Sequence, residues 1–179
     1  MTVAAGARYN SDNGSESGHA RILTYDSITN RWNTLGNAIT GVAPGDQFGR
    51  SVSLSADGKT VAVGATGNDD NGISSGHVKI LVYSSTENKW NSAGDTIAGV
   101  AMYNSFGQSV SISSNGKTVA AGAPSNDDNG TNSGHVRILR YKNIILAKEH
   151  GWCANPFGTT QENGKVELST DNFGPSIEK

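Results

Sequence analysis

Apolar and small polar residues alternate along Phe106-Gly107-Gln108-Ser109-Val110-Ser111-Ile112-Ser113, the period-two pattern of a strand that buries one face. Ser114-Asn115-Gly116-Lys117 comes next. Asn-Gly readily supplies the positive φ of a tight turn, so a hairpin is predicted there. The returning strand, Thr118-Val119-Ala120-Ala121-Gly122-Ala123, is built of small residues. Such a strand suits a place where neighbouring backbones come close. A polar loop, Asn126-Asp127-Asp128-Asn129-Gly130, then leads to a third strand, His135-Val136-Arg137-Ile138-Leu139-Arg140-Tyr141. Earlier in the chain a fourth strand is predicted to run up to Trp32 and Trp90, after the turn-like pairs Asn30-Arg31 and Asn88-Lys89.

This pattern recurs every 58 residues. Thr2-Val3-Ala4 returns as Thr60-Val61-Ala62 and Thr118-Val119-Ala120, His19 as His77 and His135, and Trp32 as Trp90. A fixed period of this size means one supersecondary unit in tandem, each unit burying its apolar face on its neighbours. Four short antiparallel strands per unit, with a large aromatic, predict an all-β chain of β-propeller-type blades. A β-solenoid would need a shorter, more uniform coil, and a Greek-key sandwich would not repeat its side chains at a fixed interval. Residues 1–141 are read as the repeat array. Its strands divide as three, four and three, ten in all, an incomplete ring, because closed propellers need about four to eight blades. The chain is thus expected to be a fragment, an open array with protected ends, or a subunit completed by a partner. Residues 142–179 are aperiodic. They are expected to form an extended C-terminal segment, either a free terminus or a docking tail, with Trp152, Phe157 and Phe173 as its candidate interaction residues. Asn143-Ile144-Ile145-Leu146-Ala147 and Lys165-Val166-Glu167-Leu168-Ser169 are the short strands it would allow.

The repeat resembles the FG-GAP unit of the integrin α-chain propeller, and similar arrays of microbial and algal proteins. Phe106-Gly107 supplies the FG, and Gly122-Ala123-Pro124 the GAP one hairpin later. Phe48-Gly49 with Gly64-Ala65-Thr66 repeats the pattern without the proline, and the first unit keeps only Gly6-Ala7-Arg8. The resemblance implies a propeller that binds proteins, at the cell surface or outside the cell. No signal-type apolar segment opens the sequence, so the compartment stays open. In integrins a calcium loop lies between FG and GAP. Here that segment is Ser55-Ala56-Asp57-Gly58-Lys59, too short and too poor in carboxylates to cage the ion.

Composition narrows the classes further. The chain has 179 residues with 23 Gly, 4 Pro and 17% charged residues, a balance that favours strands and turns over helices. A net charge of −2 leaves no basic footprint for nucleic acid. No apolar run approaches the length of a membrane span. Cys153 is the single cysteine, which excludes an intrachain disulfide framework, and no positioned partners argue for a catalytic thiol. The glycine-rich stretches lack P-loop spacing and read as turns.

The best metal candidates are the loops that follow the small-residue strand, with Asp12, Asp69, Asp70, Asp127 and Asp128 as calcium ligands. Calcium wants six to eight oxygens. These loops offer at most two carboxylates each, and no Glu or Asp follows at the position where a bidentate ligand would close the cage. The competing reading is an Asx-rich turn that caps its own backbone. His19, His77 and His135 invite zinc, but on successive blades they would lie too far apart to share one ion. Each is expected instead to hydrogen-bond a loop of its own blade. Trp32 and Trp90 either line a glycan-binding surface or fill the wedge between sheets. Packing is preferred, with Val52 and Val110 beside them.

The leading functional reading is a non-catalytic protein-interaction or scaffolding module, an accessory subunit of a larger assembly. No cofactor is assigned apart from the calcium candidates. A calcium-dependent adhesion or glycan-binding propeller fragment is the first alternative. The second is a hydrolytic enzyme with a central site, for which acidic residues outside turns are scarce.

Overall fold

The computed structural model describes residues 1–140, all of whose regular structure is strand. The candidate interaction residues Trp152, Phe157 and Phe173, the segment 142–179 and its two short strands lie outside the described residues. Three antiparallel sheets follow one another along the chain. Blade 1 holds β1 (Thr2–Ala7), β2 (His19–Asp26), β3 (Arg31–Thr34) and the two-residue β4 (Ile39–Thr40). Blade 2 holds β5 (Phe48–Leu54), β6 (Thr60–Ala65), β7 (His77–Ser84), β8 (Lys89–Ser92) and the two-residue β9 (Ile97–Ala98). Blade 3 holds β10 (Ser109–Ile112), β11 (Thr118–Ala123) and β12 (His135–Arg140). The ten principal strands and their grouping match the 58-residue pattern, and the fold is a run of propeller-type blades.

The two short strands are additions to that pattern. β8 and β9 both lie along β7, on the side away from β6. Between the pairs Leu81↔Ser92 and Val78↔Ile97 the outer strand has four residues where β7 has two. It therefore bulges by two residues, and the even number keeps the same side chains on the same face. Two boundaries differ from expectation. The fourth strands begin one residue before Trp32 and Trp90 and continue past them, so these aromatics open the strand and do not end it. In blade 3 the inner strand starts at Ser109 and not at Phe106.

The cause of that late start is the Phe-Gly pair. In blade 2, Phe48 pairs with Ala65 and Ser51 with Gly64, so the inner strand bulges at Gly49, whose φ is +85°. Gly107 has the same conformation, at +86°. This region of backbone space is nearly free for glycine and strained for other residues. The bulge turns the chain back toward the preceding blade. Phe48 N–H donates to the Ser17 carbonyl, and Phe106 N–H to the Ser75 carbonyl, both at 3.0 Å.

The core is divided between two inter-blade layers. Ala20, Ile22 and Ile39 of blade 1 meet Phe48, Val61, Val63, Ala65, Leu81 and Trp90 of blade 2. Advancing 58 residues gives the second layer: Val78, Ile80 and Ile97 against Phe106, Val119, Ala121, Ala123 and Leu139. Each sheet thus has a forward face, set by residues such as Ile22 or Ile80, and a backward face, set by residues such as Val61 or Val119. A Cβ on Gly64 would collide with the Gly107 carbonyl, and one on Gly6 with that of Gly49. The GA of one blade therefore touches the FG of the next, backbone to backbone. This is the close approach that the small-residue strand implied.

Candidate functional site

Three equivalent loops follow β1, β6 and β11 along one rim. In each, an asparagine folds back on its own chain. Asn10, Asn68 and Asn126 Oδ1 accept the N–H of Asp12, Asp70 and Asp128 at 3.0, 3.1 and 3.1 Å. Asp69 Oδ1 accepts the Ser74 N–H at 2.7 Å, and Asp127 Oδ1 the Asn132 N–H at 2.6 Å. The first loop has Ser11 at this place, whose hydroxyl oxygen accepts the Glu16 N–H at 3.0 Å. Asn13 and Asn71 then donate from Nδ2 to the carbonyls of Gly41 and Gly99, at 2.8 Å each. The polar side chains thus hold the loop shape from within and tie it to the segment after the outer strand.

The remaining carboxylates, Asp12, Asp70 and Asp128, are exposed. Each places Oδ2 at 3.7–3.8 Å from Nδ1 of the histidine that opens the third strand, His19, His77 or His135. The structure thus brings three of the five sequence-predicted aspartates, Asp12, Asp70 and Asp128, to the histidine of their own blade, and leaves Asp69 and Asp127 on the loop backbone. The distance is longer than a hydrogen bond, so the bond expected from each histidine to its loop is not formed. No cluster of three or more His, Cys, Asp or Glu side chains that could hold a metal occurs among the described residues. His77 is 2% exposed, lies edge-on to Phe48 with ring centroids 6.2 Å apart, and has no hydrogen-bond partner at either ring nitrogen. Burial pushes its pKa below the ordinary range, reinforced by Lys79 and opposed by Asp46 and Asp70.

Beneath the rim sits a polar pair that repeat reading passed over. Asp46 is buried; Oδ1 accepts from Asn68 Nδ2 at 3.1 Å, and Oδ2 accepts the N–H groups of Val42 and Ala43 at 3.1 and 2.9 Å. One repeat later the pair is Asn104 and Asn126, also buried, and neither Nδ2 has a partner. The signal available in the sequence was the change from Asp46 to Asn104 at equivalent positions.

The two tryptophans part company. Trp90 is 5% exposed; its indole N–H donates to the Leu35 carbonyl at 2.8 Å and its backbone N–H to Asn37 Oδ1 at 3.0 Å, both in blade 1. It packs in the layer that contains Val52, as expected, whereas Val110 belongs to the other layer. Trp32 is 43% exposed, which corrects the expectation that both rings would be buried. The physical reason is positional. Trp90 faces backward onto blade 1, whereas among the described residues no sheet lies behind blade 1 to receive Trp32. On the forward side of blade 3, Val136 and Ile138 are 62% and 39% exposed.

The FG-GAP repeat family matches residues 40–80 and 96–138. Each matched segment runs from the outer strand of one blade into the third strand of the next, so it spans an inter-blade seam with its Phe-Gly bulge. These two segments carry FG-GAP-like repeats. No curated protein matches it.

Proposed function

We propose that this chain is a non-catalytic interaction or scaffolding module, an accessory part of a larger assembly. The observation that carries the reading is apolar surface left exposed among the described residues on the first and third sheets. Trp32 and Tyr25 on one, and Val136 and Ile138 on the other, are exposed apolar side chains. The repeat equivalents of Trp32, Val136 and Ile138, namely Trp90, Val78 and Ile80, are buried between sheets, and that of Tyr25, Tyr83, is partly buried. Exposed apolar surface of this kind marks association sites. FG-GAP repeats generally mediate protein interactions, which supports the same reading. The hydrogen bonds within the rim loops support treating their aspartates as turn and strand-end groups.

The test is the native mass of the protein extracted from its source. A mass well above the 18.6 kDa of the chain, with other polypeptides in fixed ratio, is the expected result. A particle of the chain's own mass under gentle extraction would remove the reading.

A further inference from the structure

We infer that the seam between blades 2 and 3 holds a small monovalent anion, such as chloride, between Asn104 and Asn126. In the first seam a carboxylate of the chain fills the equivalent place. Asp46 turns its two oxygens on three donors: Asn68 Nδ2 at 3.1 Å, and the backbone N–H groups of Val42 and Ala43 at 3.1 and 2.9 Å. One repeat later the donors return as Asn126 Nδ2 and the N–H groups of Val100 and Ala101, but the carboxylate returns as the amide of Asn104. The setting is otherwise kept. Asn68 and Asn126 Oδ1 accept the N–H of Asp70 and Asp128 at 3.1 Å each. The rings of Phe48 with His77, and of Phe106 with His135, lie edge-on with centroids 6.2 and 6.3 Å apart. The bond at Oδ1 fixes the orientation of the Asn126 amide, so its Nδ2 is directed as Asn68 Nδ2 is directed at Asp46.

Asn104 cannot meet all these donors. An amide has one oxygen where a carboxylate has two, and it adds N–H donors of its own. With the oxygen toward Asn126, the Asn104 Nδ2 faces the side from which the backbone donors come. With the amide reversed, two Nδ2 donors face each other. Asn104 and Asn126 are 4% and 1% exposed, and neither Nδ2 has a partner. Buried donors of this kind are costly until an acceptor reaches them. An anion accepts from every donor and brings none, whereas water would bring two more protons to a place already rich in them. The second seam also lacks the negative charge of Asp46 and carries a cation. Arg137 is the counterpart of Lys79, whose charge acts on His77 together with that of Asp46. Its guanidinium stands 5.0 Å from the centroid of the Phe106 ring, and Nη1 donates to the Ala98 carbonyl at 2.9 Å. The rim carboxylates Asp127 and Asp128 are exposed, so solvent screens their repulsion. Burial restricts the ion to a small one of single charge, since desolvation grows costlier with charge. Bound there, it links the connection out of blade 2, which carries Asn104, to the rim loop of blade 3, which carries Asn126.

The experiment is thermal unfolding of the full 179-residue chain at fixed pH and ionic strength, with sodium chloride replacing sodium gluconate, whose anion is too large to enter. The wild-type midpoint is expected to rise with chloride and to saturate, since a ligand held only by the folded state stabilises it. Asn104→Asp puts a covalent carboxylate in the site. Its midpoint in gluconate should exceed that of the wild type, and chloride should no longer raise it. Asn126→Ala removes one donor and should raise the chloride dissociation constant at least about tenfold, the worth of roughly 1.4 kcal/mol. Broadening of the chloride-35 resonance by the folded wild-type protein, lost with Asn104→Asp, reports the ion without any unfolding. A wild-type midpoint that is the same in chloride and gluconate up to roughly 0.3 M overturns the inference. So does a chloride response of equal size in the wild type and Asn104→Asp, since that pattern belongs to a general salt effect.

Discussion

Trp90→Ala and Trp32→Ala remove the same side chain from the same repeat position and should differ several-fold in cost. Trp90 is 5% exposed and sits in the layer between blades 1 and 2. Burying a tryptophan removes about 150–250 Å² from water, worth about 4–6 kcal/mol at 25 cal/mol per Å². Measured large-to-small substitutions of this kind cost about 3–5 kcal/mol. The variant also strips the Leu35 carbonyl of its 2.8 Å donor, about 1 kcal/mol if water does not replace it. The backbone bond to Asn37 survives, so the expected loss is about 4–5 kcal/mol, concentrated in one seam. Trp32 is 43% exposed and loses chiefly its contact with Tyr25, whose ring centroid is 5.3 Å away, for about 1 kcal/mol. Urea denaturation followed by far-ultraviolet circular dichroism reads both without relying on tryptophan emission. Because stacked repeats can lose cooperativity, hydrogen exchange at β2 and β7 should show the Trp90 loss at the first seam. Equal costs for the two variants, or a Trp90 cost below about 1 kcal/mol, would refute the seam assignment.

Asn104→Asp should stabilise the chain by about 1–2 kcal/mol, since it recreates the Asp46 arrangement and gives Asn126 Nδ2 a charged acceptor; a lowered melting temperature would show that blade 3 cannot supply the backbone donors. His77 is held neutral by burial, so its folded pKa lies below its ordinary value of about 6.5. Its contribution is complete above about pH 6.5 and falls as the pH drops from there toward the folded pKa, with a slope of up to about 1.4 kcal/mol per pH unit. The groups facing it are Asp46, Asp70 and Lys79, and His77→Gln should flatten the stability profile below about pH 6.5; an unchanged profile in that variant would assign the slope to other groups. Chelator should leave the melting curve unmoved, because Asp69 and Asp127 each spend an oxygen on the loop backbone. A calcium-dependent rise in melting temperature that Asp128→Asn abolishes would assign the loops to the ion instead.

Local order in this protein was legible from the sequence because it rests on short-range rules. Alternation along Ser109–Ile112 marked a half-buried strand, Asn115-Gly116 marked the hairpin, and the 58-residue return of Thr-Val-Ala, His and Trp marked a stack of blades. The small residues around Gly64 announced a close backbone approach, and the asparagines of the rim loops announced turns. What touches what was decided by the tertiary structure. Trp32 and Trp90 occupy the same place in the pattern, yet one is exposed and the other buried. Burial across a seam depends on whether a blade lies behind the residue, and the residue's own neighbours in the chain carry no trace of that. The buried Asp46–Asn68 pair joins residues 22 positions apart. Its replacement by Asn104 and Asn126 reads in sequence as a mild polar exchange. Only in the fold do two buried donors lose their partners, because desolvation makes an unpaired amide costly where the same amide in water would cost nothing. The two-residue bulge between β8 and β9 was hidden for a similar reason: an even insertion leaves the face pattern intact, so only the pairing of strands reveals it.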